Sequence, residues 1–200
     1  MLPRLRPDLL TAPPQPLTRL FAPGTREVWL EIGFGGGEHA AWQAANHPQI
    51  GLIAAEPFVN GVAALAGKIE ADGLGNIRLH DEEVRPLLDW LPPASIARAF
   101  ILFPDPWPKR RHWKRRIVSP ATLAALARVM TPGAQLRVAT DIGDYVRTTL
   151  LAVMSSRDFD WPALNPAEWR ERSPDWPATR YEAKAIAAGR RCYYFRFRRR

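Results

Sequence analysis

Two hundred residues suffice for one domain with a sizeable core, and a balance of 46% hydrophobic to 24% charged residues excludes a disordered or fibrous chain. The 28 Lys and Arg against 20 Asp and Glu give a net charge of +8, which points to an anionic partner, a nucleic acid or a membrane surface. A single cysteine, Cys192, excludes an internal disulfide framework and reads as a passenger in a reducing, cytoplasmic setting. No apolar run approaches the length of a membrane span, and Pro7 and Asp8 stand where a signal peptide would have its apolar core.

Residues 1–25 carry six prolines and too little periodicity for a packed element. They read as a proline-rich arm, mobile or loosely docked, whose arginines either meet an anionic partner or solubilise the chain; the domain proper is 26–200. Val28–Gly33 is a strand, followed by Phe34-Gly35-Gly36-Gly37 and a helix over Glu38–Asn46 that His47-Pro48 closes. Ile50–Ala55 is a second strand ending at Glu56. Phe58–Ala71 has helical spacing and stops at Asp72-Gly73. Asn76–Leu79 is a third strand, ending at His80-Asp81, and Val84–Trp90 a helix that Pro92-Pro93 breaks.

The next stretch, Ala99 to Arg116, is the most informative of the chain. Ala99–Phe103 is an apolar run of strand length with no polar face. Pro104, Pro106 and Pro108 then forbid helix and ladder alike, so Asp105 and Trp107 belong to a stiff loop at that strand's carboxyl end. Six Lys or Arg follow between Lys109 and Arg116. A helix over Pro120–Met130, a strand over Gln135–Thr140 ending at Asp141, and a helix over Tyr145–Met154 continue the alternation. Trp161–Pro177 is irregular, Thr179–Ala187 a short polar segment, and Cys192–Arg198 alternates as a late strand. The pattern predicts an α/β fold: a doubly wound, mostly parallel sheet with helices on both faces and a late antiparallel strand.

In such a sheet, ligands bind at the carboxyl ends of the strands. Glu56, Asp81, Asp105 and Asp141 all fall at or near such ends, and Glu31 precedes the glycine turn by two residues. Gly33 and Gly35 give the tight turn and close backbone approach that a nucleotide-like ligand needs. Glu56, 23 residues after Gly33, is where this fold places the acid that binds ribose hydroxyls. Glu31 would repel a pyrophosphate but attract an ammonium or sulfonium, which favours S-adenosylmethionine over a nicotinamide dinucleotide. Asp81 either meets the adenine amino group or belongs, with Glu82 and Glu83, to a solvated acidic turn. The basic run after Asp105 implies an anionic acceptor, and Trp107 offers a face for base stacking. Arg190, Arg191, Arg196, Arg198, Arg199 and Arg200 form a second basic run. If both runs border one crevice they make a nucleic-acid footprint; otherwise the second is a solubilising tail.

The stretch Phe103–Val118 resembles the signature of the tRNA (guanine-N7-)-methyltransferase family. Leu30-Glu-Ile-Gly-Phe-Gly35, Ala139-Thr-Asp141 with Tyr145 beyond, and Thr179-Arg-Tyr-Glu182 agree with it. The family's usual Gly after Lys184 is Ala185 here, a departure that bears on backbone shape. The resemblance implies a class I, Rossmann-like methyltransferase fold that moves a methyl from S-adenosylmethionine to N7 of the variable-loop guanosine (position 46) of tRNA. It implies that Glu31, Glu56, Asp81 and Asp105 contact the cofactor, together with the glycine turn. Lys109, Asp141 and the segment Thr179, Arg180, Tyr181 and Glu182 would contact the guanosine. Asp105 and Asp141 are the expected catalytic carboxylates. Alternatives are another RNA or small anionic acceptor, a non-enzymatic RNA-binding module, and a dehydrogenase. His39, His47, His80 and His112 are scattered and read as packing or surface residues, so no metal is expected; monomer and dimer remain equally open.

Overall fold

The computed structural model describes residues 6–200. In chain order its elements are β1 (Glu27–Ile32), α1 (Glu38–Asn46), β2 (Ile50–Ala55), α2 (Val59–Asp72), β3 (Ile77–His80), α3 (Val84–Trp90) and β4 (Ile96–Leu102). Then come α4 (Pro120–Val129), β5 (Met130–Thr140), α5 (Gly143–Met154), β6 (Phe159–Asp160), α6 (Ala167–Arg170), α7 (Arg180–Ala187) and β7 (Tyr193–Arg199). Every side chain of β2 is buried, and all of β1 but the first. Such strands need cover on both faces, and successive residues divide between two apolar layers. Leu30, Ile53, Ile101 and Val138 face α3, α4 and α5, whereas Trp29, Leu52, Phe100 and Ala139 face α1, α2 and α7.

The sheet runs β3-β2-β1-β4-β5-β7-β6, parallel from β3 through β5 and antiparallel at β7 and β6. The predicted late antiparallel strand is therefore present, seated between β5 and the short β6. β4 starts at Ile96 rather than Ala99, and most other bounds move by one or two residues. β5 starts at Met130 rather than Gln135, because a register shift between Ile96 and Arg98 of its partner absorbs Pro132-Gly133. The segment read only as polar is the helix α7, with the Thr179 side chain accepting from Glu182 N. Within the basic stretch, Arg110–Arg115 forms a 3-10 helix.

Residues 1–5 of the expected arm lie outside the described residues. The rest touches the domain at several points. Leu17 and Phe21 are buried, the Phe21 ring lies where any side chain at Gly51 would go, and Trp90 Nε1 donates to Thr11 O.

The Trp- and Pro-rich segment is tied down by charge as well as by the buried Trp176. Arg137 of β5, itself buried, donates from both terminal nitrogens to Asp175 at 2.9 and 2.7 Å, and Arg98 of β4 lies 3.8 Å away. Partial burial pushes the Asp175 carboxyl up, but the hydrogen bonds from Arg137 and Ser173 and the charges of Arg137 and Arg98 outweigh it, holding it well below the usual carboxylate range. Asp175→Asn should lower the unfolding free energy by about 2 kcal/mol at neutral pH. That is less than the roughly 3–5 kcal/mol of a fully buried pair, because this carboxylate is 42% exposed. A depressed carboxyl stabilises the fold above its unfolded pKa and loses that contribution as pH falls through the folded value. The gap between wild type and variant in urea unfolding should therefore begin to narrow below about pH 4 and go on narrowing as the pH falls further.

Candidate active site

Because β1 has β2 on one side and β4 on the other, the chain leaves the carboxyl ends of β1 and β4 in diverging directions, and a crevice opens between them. A cavity of about 810 Å³ fills it. One wall is Gly33, Gly35, Glu56 and Phe58; a second is the turn Glu82 to Arg85; the third is Phe103 to Asp105 with Trp107, and Lys114, Arg115 and Tyr181 also line it. The glycine turn, the acid of β2 and the proline-rich loop thus meet in one place, although 23 to 72 residues separate Gly33 from Glu56 and Asp105 in the chain.

Local chemistry explains each wall. Gly33 has φ +74°, its N–H donates to Ala55 O, and an added Cβ would meet nothing within 4 Å. At Gly35, φ +56°, a Cβ would stand 2.6 Å from the Tyr181 ring, so only glycine lets that ring lie on the turn. Glu56 is fixed by two backbone donors, Gly35 N at 2.9 Å and Phe58 N at 3.0 Å. Phe103 leaves the sheet with φ +50° while its N–H still donates to Ala139 O, and Trp107 repeats the left-handed turn at φ +42°. Asp105 lies between these two turns and lines the cavity.

The other expected site residues are distributed around this cavity rather than in its wall. Glu31 is buried behind it, in a recess of about 10 Å³ whose lining it shares with Thr179 and His39; Gly33, Leu102, Phe103 and Tyr181 line both spaces. Asp81 lies beside the second wall with Arg6 2.7 Å away, and Arg6 also pairs with Glu82. Asp141 accepts from Arg190 at 2.5 Å and is outside the cavity lining. Lys109 is exposed at the start of the 3-10 helix. Arg180 lies across Tyr181 and 3.6 Å from Glu38. Glu182 is buried, accepting from Arg172 at 3.1 Å and Tyr194 at 2.5 Å. Burial of the Tyr194 phenol, with the Glu182 carboxylate beside it, pushes its pKa far up, and burial likewise raises the Cys192 thiol.

Three features escaped the sequence. Arg116 ends the basic run but is buried. It donates to Pro106 O, Thr148 and Asp144, and lies against the Trp113 and Tyr145 rings. His39, read as a packing or surface residue, bonds Glu31 at 2.7 Å. The second basic run is split by strand direction: Tyr193 pairs with Thr140 near the cavity end, whereas Arg198 pairs with Gln135, roughly 17 Å down the strand. Arg190 and Arg191 stand near the crevice, and Arg198 and Arg200 instead pair with Asp160. Among the described residues no helix is long and apolar enough to cross a membrane, and no three His, Cys, Asp or Glu side chains gather as metal ligands.

This strand order, with its cavity at the switch point, is that of a class I methyltransferase. The crystal structure of the 16S rRNA methyltransferase KamB superposes with a TM-score of 0.59 at 18% identity, covering 94% of this chain and 95% of that one. A Streptococcus mutans putative methyltransferase, SMU.1697c, solved with SAH, gives 0.54 at 12% identity, covering 88% and 90%. Residues 25–195 match the family described as "Putative methyltransferase". The tRNA (guanine-N(7)-)-methyltransferase of Ruegeria pomeroyi is 57% identical over 192 residues, 96% of this chain and 80% of that protein. The chain belongs to the tRNA (guanine-N7-)-methyltransferase family.

The position of Arg116 assigns it to the loop rather than to a ligand. Arg116→Met keeps its apolar stem but frees Pro106 O and Thr148. It should cost about 1–3 kcal/mol in denaturant unfolding and speed tryptic cleavage between Lys109 and Arg115.

Proposed function

We propose that this protein transfers the methyl group of S-adenosylmethionine to N7 of the variable-loop guanosine of tRNA, in the cytoplasm, giving 7-methylguanosine. The observation that carries this reading is the meeting of the glycine turn, Glu56 and the Asp105 loop in one cavity with Lys114 and Arg115 in its lining.

The residues present fit the cofactor. Gly33 leaves open the space that a side chain would fill. Glu56 holds an acceptor pair at the wall, suited to the two ribose hydroxyls. Asp81, with Arg6 beside it, is assigned to the adenine amino group, and Glu31 to the ammonium. When bound, the cofactor supplies an electrophilic methyl on a sulfonium.

Guanine N7 carries a free lone pair, so no proton has to leave and no general base is required. What the chain supplies is alignment of N7 and compensation of the positive charge that the purine acquires. Asp105, at the cavity, is assigned that compensation, and Trp107 a stacking face. Asp141 joins Asp105 on the guanine edge when Arg190 exchanges from it to an RNA phosphate; Arg190 is 47% exposed and chemically suited to that exchange. Tyr181 and Arg180 meet the nucleoside directly, while Thr179 and Glu182 hold the start of α7 that presents them. Lys109 and its exposed neighbours bind phosphates.

Incubation with labelled S-adenosylmethionine and bulk tRNA should put label into 7-methylguanosine of the variable loop on nucleoside mapping; label in another base or none at all refutes the assignment. Asp105→Ala, at an exposed position, should fold normally and lose about a hundredfold or more in kcat. Neutralising Lys109, Arg110 and Arg111 together should lower the slope of log affinity for tRNA against log salt by about 2 to 2.7. An unchanged slope removes these residues from the phosphate contact.

A further inference from the structure

The recess behind the cavity contains a buried acid that no Lys or Arg side chain among the described residues matches. Glu31 is 2% exposed, and the one hydrogen bond of its side chain among the described residues is accepted by Oε2 from His39 Nδ1 at 2.7 Å. No Lys or Arg among the described residues lies within ion-pair distance of it. The charge of this pair is set one step further back. The Gln43 amide nitrogen lies 3.0 Å from Asp175 O and 3.0 Å from His39 Nε2. Turning that amide over would bring two acceptor oxygens together at Asp175, so the NH2 must point this way. It then donates to His39 Nε2, which leaves that nitrogen as an acceptor and puts the ring's only proton on Nδ1, facing Glu31.

We propose that Gln43 and His39 form a positioning relay that holds the ring neutral, so that Glu31 is oriented by a hydrogen bond yet keeps its negative charge for the ammonium at the amino-acid end of the ligand. A protonated histidine there would cancel the charge the ligand needs, and no histidine would leave the carboxylate free to turn. Gln43 lines neither space, and His39 lines the recess but not the main cavity. Edge-on contacts of His39 with Phe100 and Trp176, at 4.6 and 5.9 Å, fix the ring plane. The relay also ends on Asp175, so the segment leading to α7 and the carboxylate of β1 are set by one chain of bonds.

This rests on the cofactor reading above, and the test separates the two. Binding of S-adenosylhomocysteine, which has the amino-acid end, and of 5′-methylthioadenosine, which lacks it, is measured by titration calorimetry. Wild type should prefer the former. His39→Ala should weaken S-adenosylhomocysteine by about tenfold or more, the worth of a hydrogen bond to a charged group, and leave 5′-methylthioadenosine unchanged. His39→Asn, whose amide N–H occupies the Nδ1 position, should restore most of the loss. Gln43→Leu keeps the ring while releasing its tautomer, and should show a smaller loss confined to the same ligand. Equal losses for both ligands, or none, overturn the relay while leaving the cofactor site standing. Wild type binding neither ligand overturns the cofactor reading and the relay with it.

Discussion

Pairing of β1 with β4 is the constraint from which the rest of the molecule follows. Toward their carboxyl ends both strands are buried on both faces, so each must lie inside the sheet under helices, and β2 already occupies the other edge of β1. Register then brings Ile32, the last residue of β1, opposite Ile101, one residue before the end of β4, so the two chains leave the sheet close together. One exit is a glycine turn and the other a run of alternating prolines. The first admits a ligand close to the backbone; the second cannot fold back over it. The cavity is what remains between two chain segments that have no other place to go.

Charge is divided between binding and building. Arg116 and Arg137 are buried, and Arg128 caps the end of α3 by donating to the carbonyls of Leu88, Leu91 and Asp89. All three bind within the fold, Arg128 from an exposed position. The exposed cations of the loop beside the crevice are Lys109, Arg110, Arg111, Lys114 and Arg115, and Arg190 and Arg191 precede the end of β7 nearest to it. The basic surface at the crevice is therefore narrower than the net charge suggests, and it sits on the side of the sheet where the parallel strands end.

Period and punctuation made the sheet legible: strands with no polar face, helices closed by His47-Pro48 and Asp72-Gly73, and acids at strand ends. α1, β2 and α3 follow the expected bounds because nothing tertiary competes with those signals. What could not be read is whatever depends on partners distant in the chain. Gln43 reaches Asp175 across 132 residues, Arg116 reaches Asp144 across 28, and Asp141 meets Arg190 across 49. A histidine at the second position of a helix carries no local mark that it faces a carboxylate eight residues earlier on a strand. Splitting of the second arginine run was likewise invisible, because a string of arginines does not reveal the strand direction that separates its two ends.

Strain shows why the proline loop needs its buried arginine. Phe103 and Trp107 both adopt a left-handed backbone that costs about 1–2 kcal/mol per residue for a bulky side chain. Prolines at 104, 106 and 108 reduce the entropy lost on ordering the segment, but they also remove three N–H groups that could have anchored it. Anchoring must then come from a donor outside the loop reaching a carbonyl within it, and Arg116 Nε at 2.9 Å from Pro106 O does this. Its other nitrogens fasten to Thr148 and Asp144 on α5, the helix that follows Asp141. The two carboxylates expected to share the guanine are thus carried on segments joined through one guanidinium, so the position of Asp105 relative to Asp141 is set by Arg116 rather than by the sheet alone.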